Sequence, residues 1–154
     1  MSQMQEQKSN QVLRVARVLW FAMLIAPFLF FIILFTQFGV ANLIFSFTDY
    51  LQPQILLFCV IALVNAGLSI VLPKLIVRTA AKNFPQPKNE NEVVQRAFPA
   101  FIIRLAFAEA ISVLGFVAAN LGQKAILITP FILLTLVIFV LSFPKYSFFR
   151  DLQR

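Results

Sequence analysis

A single carboxylate, Glu109, lies inside a long apolar stretch (97–121) and is the residue of this chain best suited to do chemistry. A helix of that length crosses a bilayer, and Glu109 would then lie near mid-depth, with about 12 helical residues on either side. Ionised carboxylates are costly in hydrocarbon, so those found there usually face other protein or a water-filled path. We therefore expect Glu109 to mark a functional site that binds and releases a proton or a cation.

Two polar side chains are candidate partners of this carboxylate. Ser112 follows Glu109 by nearly one helical turn, and Asn65 lies in the preceding apolar stretch. Measured from the loop that joins the two stretches, Asn65 lies about 12 Å deep and Glu109 about 18 Å deep, so the side chains can meet between antiparallel helices. Two uses of this set remain open: an ion-binding site, or a protonated Glu109 that only ties two helices together by hydrogen bonds.

Arg104 is a second charge in the same apolar stretch. It lies five residues before Glu109, about 140° around a helix, so the two are poor partners on one helix. Because Arg104 is only about 10 Å from the start of the stretch, its long side chain can extend to the lipid head groups. The alternative is that Arg104 modulates Glu109 as a positive neighbour, through a partner helix.

Small residues form a ridge along this stretch at spacings of i, i+4, i+7 and i+11, namely Ala108, Ser112, Gly115 and Ala119. Such a ridge lets another helix approach closely and predicts a helix-packing surface. Glu109 lies about 100° from Ala108, at the edge of the ridge. Its carboxyl group is therefore expected to point into a contact between helices and not into lipid.

Four apolar stretches provide the elements that must hold these residues: 18–38, 55–72, 97–121 and 125–143. Each has roughly the 17–25 residues that a spanning helix needs, and none shows the alternation of a strand. The expected fold is all-α, a polytopic membrane protein with four transmembrane helices in an up-down bundle. An N-terminal segment (1–17), a central loop (73–96) and a basic tail (144–154) lie outside the spans.

Composition and charge distribution support a membrane protein. The chain is 60% hydrophobic and only 12% charged, whereas globular proteins have about 25% charged residues. Eleven of the thirteen lysines and arginines lie in the three segments outside the spans, and only Lys124 lies on the opposite side. The positive-inside rule then predicts that both termini and the central loop are cytoplasmic, in a plasma membrane such as the bacterial inner membrane. Because the net charge of +7 is grouped at span ends, nucleic-acid binding is not expected.

Residues for common catalytic sites are missing from the sequence. There is no histidine and a single cysteine, Cys59, which excludes a Cys/His zinc site and a Ser/His or Cys/His catalytic pair. A phosphate-binding glycine loop is also missing. We therefore predict a protein that is not an enzyme and that has no cofactor and no metal site.

The string LAFAEAISVLGFVAA (105–119) resembles the ion-carrying helix of the c subunit of rotary ATP synthases. That helix reads L-A-x-x-E-A, then hydrophobic residues, then G-x-V-x-A. Glu109 matches its ion-carrying carboxylate, and the residues at the corresponding offsets are Ala110, Gly115, Val117 and Ala119. The resemblance implies that Glu109 carries a proton or a sodium ion. It also implies association with other membrane subunits or with further copies of the chain.

A non-catalytic membrane scaffold or assembly factor is the alternative function. Lys74, Arg78 and Lys82 recur at i, i+4 and i+8, so a helical extension of the second span would present one basic stripe. The stripe is either a solvated surface that faces phospholipid or a docking surface for a cytoplasmic partner. In the scaffold interpretation, Glu109 is a protonated group that hydrogen-bonds between helices.

Overall fold

The structure is a computed structural model that describes residues 2–39, 46–83 and 90–152. Its elements are α1 (Ser2–Phe38), α2 (Phe47–Tyr50), α3 (Pro53–Asn83), α4 (Glu90–Gly122), a 3₁₀ turn (Ala125–Ile128), α5 (Thr129–Leu141) and α6 (Tyr146–Leu152). The described ranges contain no strand. The predicted all-α helical bundle is thereby confirmed.

Three of these helices are long and apolar enough to cross a membrane, over Gln11–Phe38, Pro53–Ala80 and Glu92–Gly122. The fourth apolar segment, Ala125–Leu141, is shorter, and its first turn is 3₁₀. With about 2.0 Å per residue in the 3₁₀ turn and about 1.5 Å in α5, it spans about 28 Å, close to the hydrocarbon thickness of about 30 Å. Its length is therefore compatible with the predicted fourth span.

Helix α4 lies at the centre of the bundle. It packs against α1, α3, α5 and α6, whereas α1 and α3 make no comparable contact with each other within the described ranges. In its most apolar part α4 has 44% of its residues buried, against 17% for both α1 and α3. The two outer helices therefore flank the α4–α5 pair and leave most of their apolar surface to lipid or to other proteins.

The small-residue ridge of α4 forms the contact with α5. A Cβ atom added to Gly115 would lie 2.5 Å from the Cβ of Phe131. The hydroxyl of Thr135 donates a hydrogen bond of 3.1 Å to the carbonyl of Ala108. Three further ridge residues are fully buried, namely Ala108, Ser112 and Ala119. The ridge therefore serves the predicted close approach, and its partner is a helix of the same chain.

Polar contacts fix α2 to the turn between α4 and α5, at what we term the α2 end of the bundle. Lys124 Nζ and Asp49 Oδ2 are 2.7 Å apart, and the hydroxyl of Tyr50 donates to the carbonyl of Ile126 at 3.1 Å. Burial, and to a smaller degree the neighbouring Cys59 and Asp49, raise the pKa of Tyr50 to about 12. The phenol therefore remains a hydrogen-bond donor throughout the physiological pH range.

The C-terminal segment is folded against the opposite end of the bundle, which we term the α6 end. The indole N–H of Trp20 in α1 donates to the carbonyl of Phe139 in α5 at 2.9 Å, and the Trp20 ring lies 5.2 Å from that of Phe143. Beyond this turn, α6 packs on α4 with Phe149 fully buried. The segment predicted as a basic tail (144–154) thus contains a packed helix.

We expect Gly115→Ala to lower the free energy of unfolding by about 1–3 kcal/mol, because Phe131 must move away from the added methyl group. Gly67→Ala in α3 is the matched control, since an added Cβ there meets no atom within 4 Å. That control should be neutral or should raise stability by up to about 1 kcal/mol, through the higher helix propensity of alanine. Denaturant unfolding of both variants in detergent measures the difference. Equal effects of the two changes would contradict the α4–α5 packing described above.

Candidate functional site

One carboxyl oxygen of Glu109 is enclosed in the bundle. The side chain as a whole is partly buried. Its Oε2 atom is fully buried and finds no donor or acceptor in the part of the chain that the structure describes. A buried polar atom that forms no hydrogen bond carries the full cost of its desolvation. The carboxyl group of Glu109 is therefore not held through this oxygen by any hydrogen bond to the described residues.

Glu109 lies on the side of α4 that faces α1. Phe116 follows Glu109 by seven residues, almost two full turns, so both lie on one face of α4. The Phe116 ring is 5.1 Å from that of Phe30 in α1. Phe98, on the same face, lines a groove together with Val12 and other residues of α1. The carboxylate is thus directed toward α1 and not toward the ridge that contacts α5.

The same contacts show that α1 and α4 run parallel, because Val12 lies near Phe98 and Phe30 lies near Phe116. Counting along both helices from these two contacts, Met23 of α1 lies at the same height in the bundle as Glu109 of α4. Pro27 lies inside α1, four residues after Met23, and is buried. Since proline has no N–H, the Met23 carbonyl loses its helical hydrogen bond. The carbonyl oxygen of Met23 is therefore available as a hydrogen-bond acceptor at the depth of the Glu109 carboxyl group.

The two predicted partners of Glu109 are hydrogen-bonded elsewhere. Ser112 donates to the backbone carbonyl of Glu109 at 2.8 Å, and the Asn65 amide donates to the carbonyl of Ile61 at 2.9 Å. Each bond lies within its own helix. Within the described ranges, neither side chain bonds to the Glu109 carboxyl group. The structure thus does not join these three residues by the expected hydrogen bonds, and their joint role in ion binding stays a prediction.

Arg104 is buried beneath the C-terminal helix. Its side chain is 7% exposed, and its guanidinium carbon lies 5.3 Å from the centre of the Phe148 ring in α6. The Nε atom is fully buried and has no hydrogen-bond partner among the described residues. No ion pair joins Arg104 to Glu109 in that part of the chain. Arg104 therefore does not extend freely to solvent, and its modulating role stays a prediction.

An aromatic cluster over Arg104 is a feature that the sequence interpretation missed. It consists of two residues of α4 and two of α6, namely Phe98, Phe101, Phe148 and Phe149, with Phe101 and Phe149 at a centroid distance of 5.6 Å. The tail sequence contains a pattern that could have predicted this cluster. Its two phenylalanines are flanked by Ser147 and Arg150, which are exposed in the structure. A short amphipathic helix buries such a pair against the nearest apolar surface.

Glu109→Leu tests whether the carboxyl group is a structural tie. Because Oε2 has no partner among the described residues, we expect the unfolding free energy to be unchanged or to rise by up to about 2 kcal/mol. Thr135→Val is the control, since it removes an observed hydrogen bond between α4 and α5. It should cost about 1 kcal/mol. Denaturant titrations in detergent compare the two variants, and a clear loss of stability in Glu109→Leu would favour the tie.

Comparison with protein-family models, with curated proteins and with solved structures finds no match for this chain.

Proposed function

We propose that this chain is a multi-pass membrane protein in which Glu109 reversibly binds a proton or a monovalent cation. The observation that carries the proposal is the enclosed Oε2 atom, which has no hydrogen-bond partner in the described part of the chain. A carboxyl group in a low-dielectric interior favours a neutral state, reached either by taking up a proton or by pairing with a cation. Reversible loading of Glu109 with a proton or a cation would meet this requirement.

The contacts of Asn65 and Ser112 support ion binding over a structural tie. Both side chains satisfy backbone carbonyls of their own helices, so neither is needed to anchor the carboxyl group. A tie that stabilised the bundle would require a partner for Glu109 on a neighbouring helix. An oxygen that no described side chain holds is compatible with a site that gains and loses a ligand.

The groups around Glu109 favour a singly charged ligand. Within the described ranges, no three residues among His, Cys, Asp and Glu lie close enough together to hold a metal ion. A cation at Glu109 would therefore have one carboxylate and neutral oxygens, and the carbonyl of Met23 is one such oxygen at a similar depth. Divalent cations usually need more carboxylates and a larger oxygen cage. The proposed ligand is thus a proton or a sodium ion.

The resemblance of residues 105–119 to the ion-carrying helix of c subunits supports the same assignment for Glu109. Because the ridge of small residues is covered by α5, any association of this chain with other subunits or with its own copies would use α1 and α3. Both helices leave most of their apolar surface open. We propose that both termini and the central loop face the cytoplasm of a bacterial inner membrane, on the basis of the lysine and arginine distribution.

Carbodiimide labelling tests the proposal, because dicyclohexylcarbodiimide reacts with protonated carboxyl groups in membranes. We expect the reagent to modify Glu109 in the reconstituted protein, and the reaction to slow as the pH rises and the carboxyl group ionises. Slowing by Na⁺ at constant pH would identify sodium as the ligand. The site of modification is read by peptide mass spectrometry.

Two substitutions serve as controls for this labelling. Glu109→Gln should abolish it, whereas Glu92→Gln should leave it unchanged, because Glu92 pairs with Arg96 near the start of α4. If Glu109 stays unmodified at every pH at which the protein is folded, the ion-binding proposal fails.

The scaffold function is a second candidate, favoured by the exposed side chains of Lys74 and Arg78 on α3. The side chain of Lys82, the third residue of the basic stripe, lies outside those described. For a scaffold we expect Glu109→Gln to preserve the complex that co-purifies in mild detergent, and charge reversal of the stripe to disrupt it. For an ion-binding subunit we expect Glu109→Gln to abolish ion-dependent activity and charge reversal to be tolerated. Co-purification and ion flux measured on the same variants separate the two functions.

A further inference from the structure

We propose that Arg104 binds the phosphate group of an anionic phospholipid beneath α6. The proposal concerns a different residue from the ion site and does not depend on it. It rests on three features of Arg104: its charge, which pairs with no described carboxylate, its depth in the bundle, and the aromatic and basic residues around it.

No carboxylate among the described residues pairs with the charge of Arg104. A guanidinium group remains protonated in proteins, so it cannot become neutral on burial as a carboxyl group can. The side chain is 7% exposed, and within the described ranges neither an ion pair nor a hydrogen bond accompanies its contact with the Phe148 ring. An aromatic face offsets only part of the cost of burying a charge. An oxyanion is therefore the expected complement.

The guanidinium group lies at a depth that a lipid phosphate can approach. Side chains on a helix lean toward its N-terminus, and the contact of Arg104 with Phe148 shows that this side chain reaches the α6 end. Along the helix axis, the backbone of Arg104 lies about 7.5 Å closer to that end than the backbone of Glu109 does. The length of the Arg104 side chain adds to this difference. Since half the hydrocarbon thickness is about 15 Å, the guanidinium group comes near the head-group boundary.

The surroundings of Arg104 favour a lipid over other sources of oxyanion. Two rings of the aromatic cluster, Phe98 and Phe148, are only partly buried and offer apolar surface to acyl chains. Lys145 is exposed on the same segment and adds positive charge at this end. Asp151, also exposed, forms no ion pair with Arg104 among the described residues. Basic sites between transmembrane helices bind anionic lipid head groups, and a guanidinium group matches phosphate oxygens with two parallel hydrogen bonds.

Native mass spectrometry of the full chain in neutral detergent tests the assignment, with phosphatidylglycerol and phosphatidylethanolamine offered at equal concentration. We expect the protein to retain phosphatidylglycerol at least about tenfold better, which corresponds to about 1.4 kcal/mol. The preference should be lost in Arg104→Met, which keeps a long apolar side chain without the charge. It should persist in Arg150→Gln, the matched removal of an exposed charge.

Thermal unfolding separates lost binding from lost folding. In detergent without lipid, Arg104→Met should be at least as stable as the natural chain, because it removes an unpaired buried charge. Added phosphatidylglycerol should raise the melting temperature of the natural chain and of Arg150→Gln, but not that of Arg104→Met. Equal lipid retention in Arg104→Met, or the same loss in Arg150→Gln, would overturn the proposal. If inorganic phosphate raises the melting temperature of the natural chain as much as phosphatidylglycerol does, the assignment of a lipid as the source of the bound phosphate fails.

Discussion

The close contact between α4 and α5 determines where the two intramembrane charges point. Gly115 allows the Phe131 side chain to pack directly on the α4 backbone, and the buried bond from Thr135 to Ala108 fixes the same pair of helices. With the ridge turned toward α5, the rotation of α4 about its axis is set. Glu109, at the edge of the ridge, is then directed toward α1, and Arg104 lies on the continuation of the ridge toward α6.

The number and approximate extent of the apolar helices could be predicted from the sequence, because the length of an apolar run is a local property. The expected depths of Glu109 and Asn65 come from the same kind of counting along a helix, and they stay predictions. The neighbouring helix that each side chain faces could not be predicted, because it depends on which helices pack together. Asn65 and Glu109 were expected to meet from their depths alone, yet the Phe30–Phe116 contact places the carboxylate toward α1. The seven-residue helix α6 was missed because it is too short to register as an apolar stretch.

The intramolecular use of the ridge also changes what the resemblance to c subunits implies. A ridge of small residues predicts that some helix approaches closely, but it does not say whether that helix belongs to the same chain. Here α5 fills it, and a ring built through this surface would first have to displace Phe131. Association through the open face of α1 would instead bring a neighbouring subunit to the side of α4 on which Glu109 lies. Glu109 would then lie near the interface between subunits, although the small-residue ridge of α4 would not be part of that interface.

Glu109 and Arg104 differ in how each can tolerate burial, and this difference separates their roles. A carboxyl group becomes neutral by taking up a proton, so an unpartnered glutamate can alternate between two states within one fold. A guanidinium group has no neutral state within reach, so its charge must be balanced by another molecule or by the protein. The described residues provide only an aromatic face for Arg104. The exchange of a small ligand is therefore expected at Glu109, and a lasting anionic partner at Arg104.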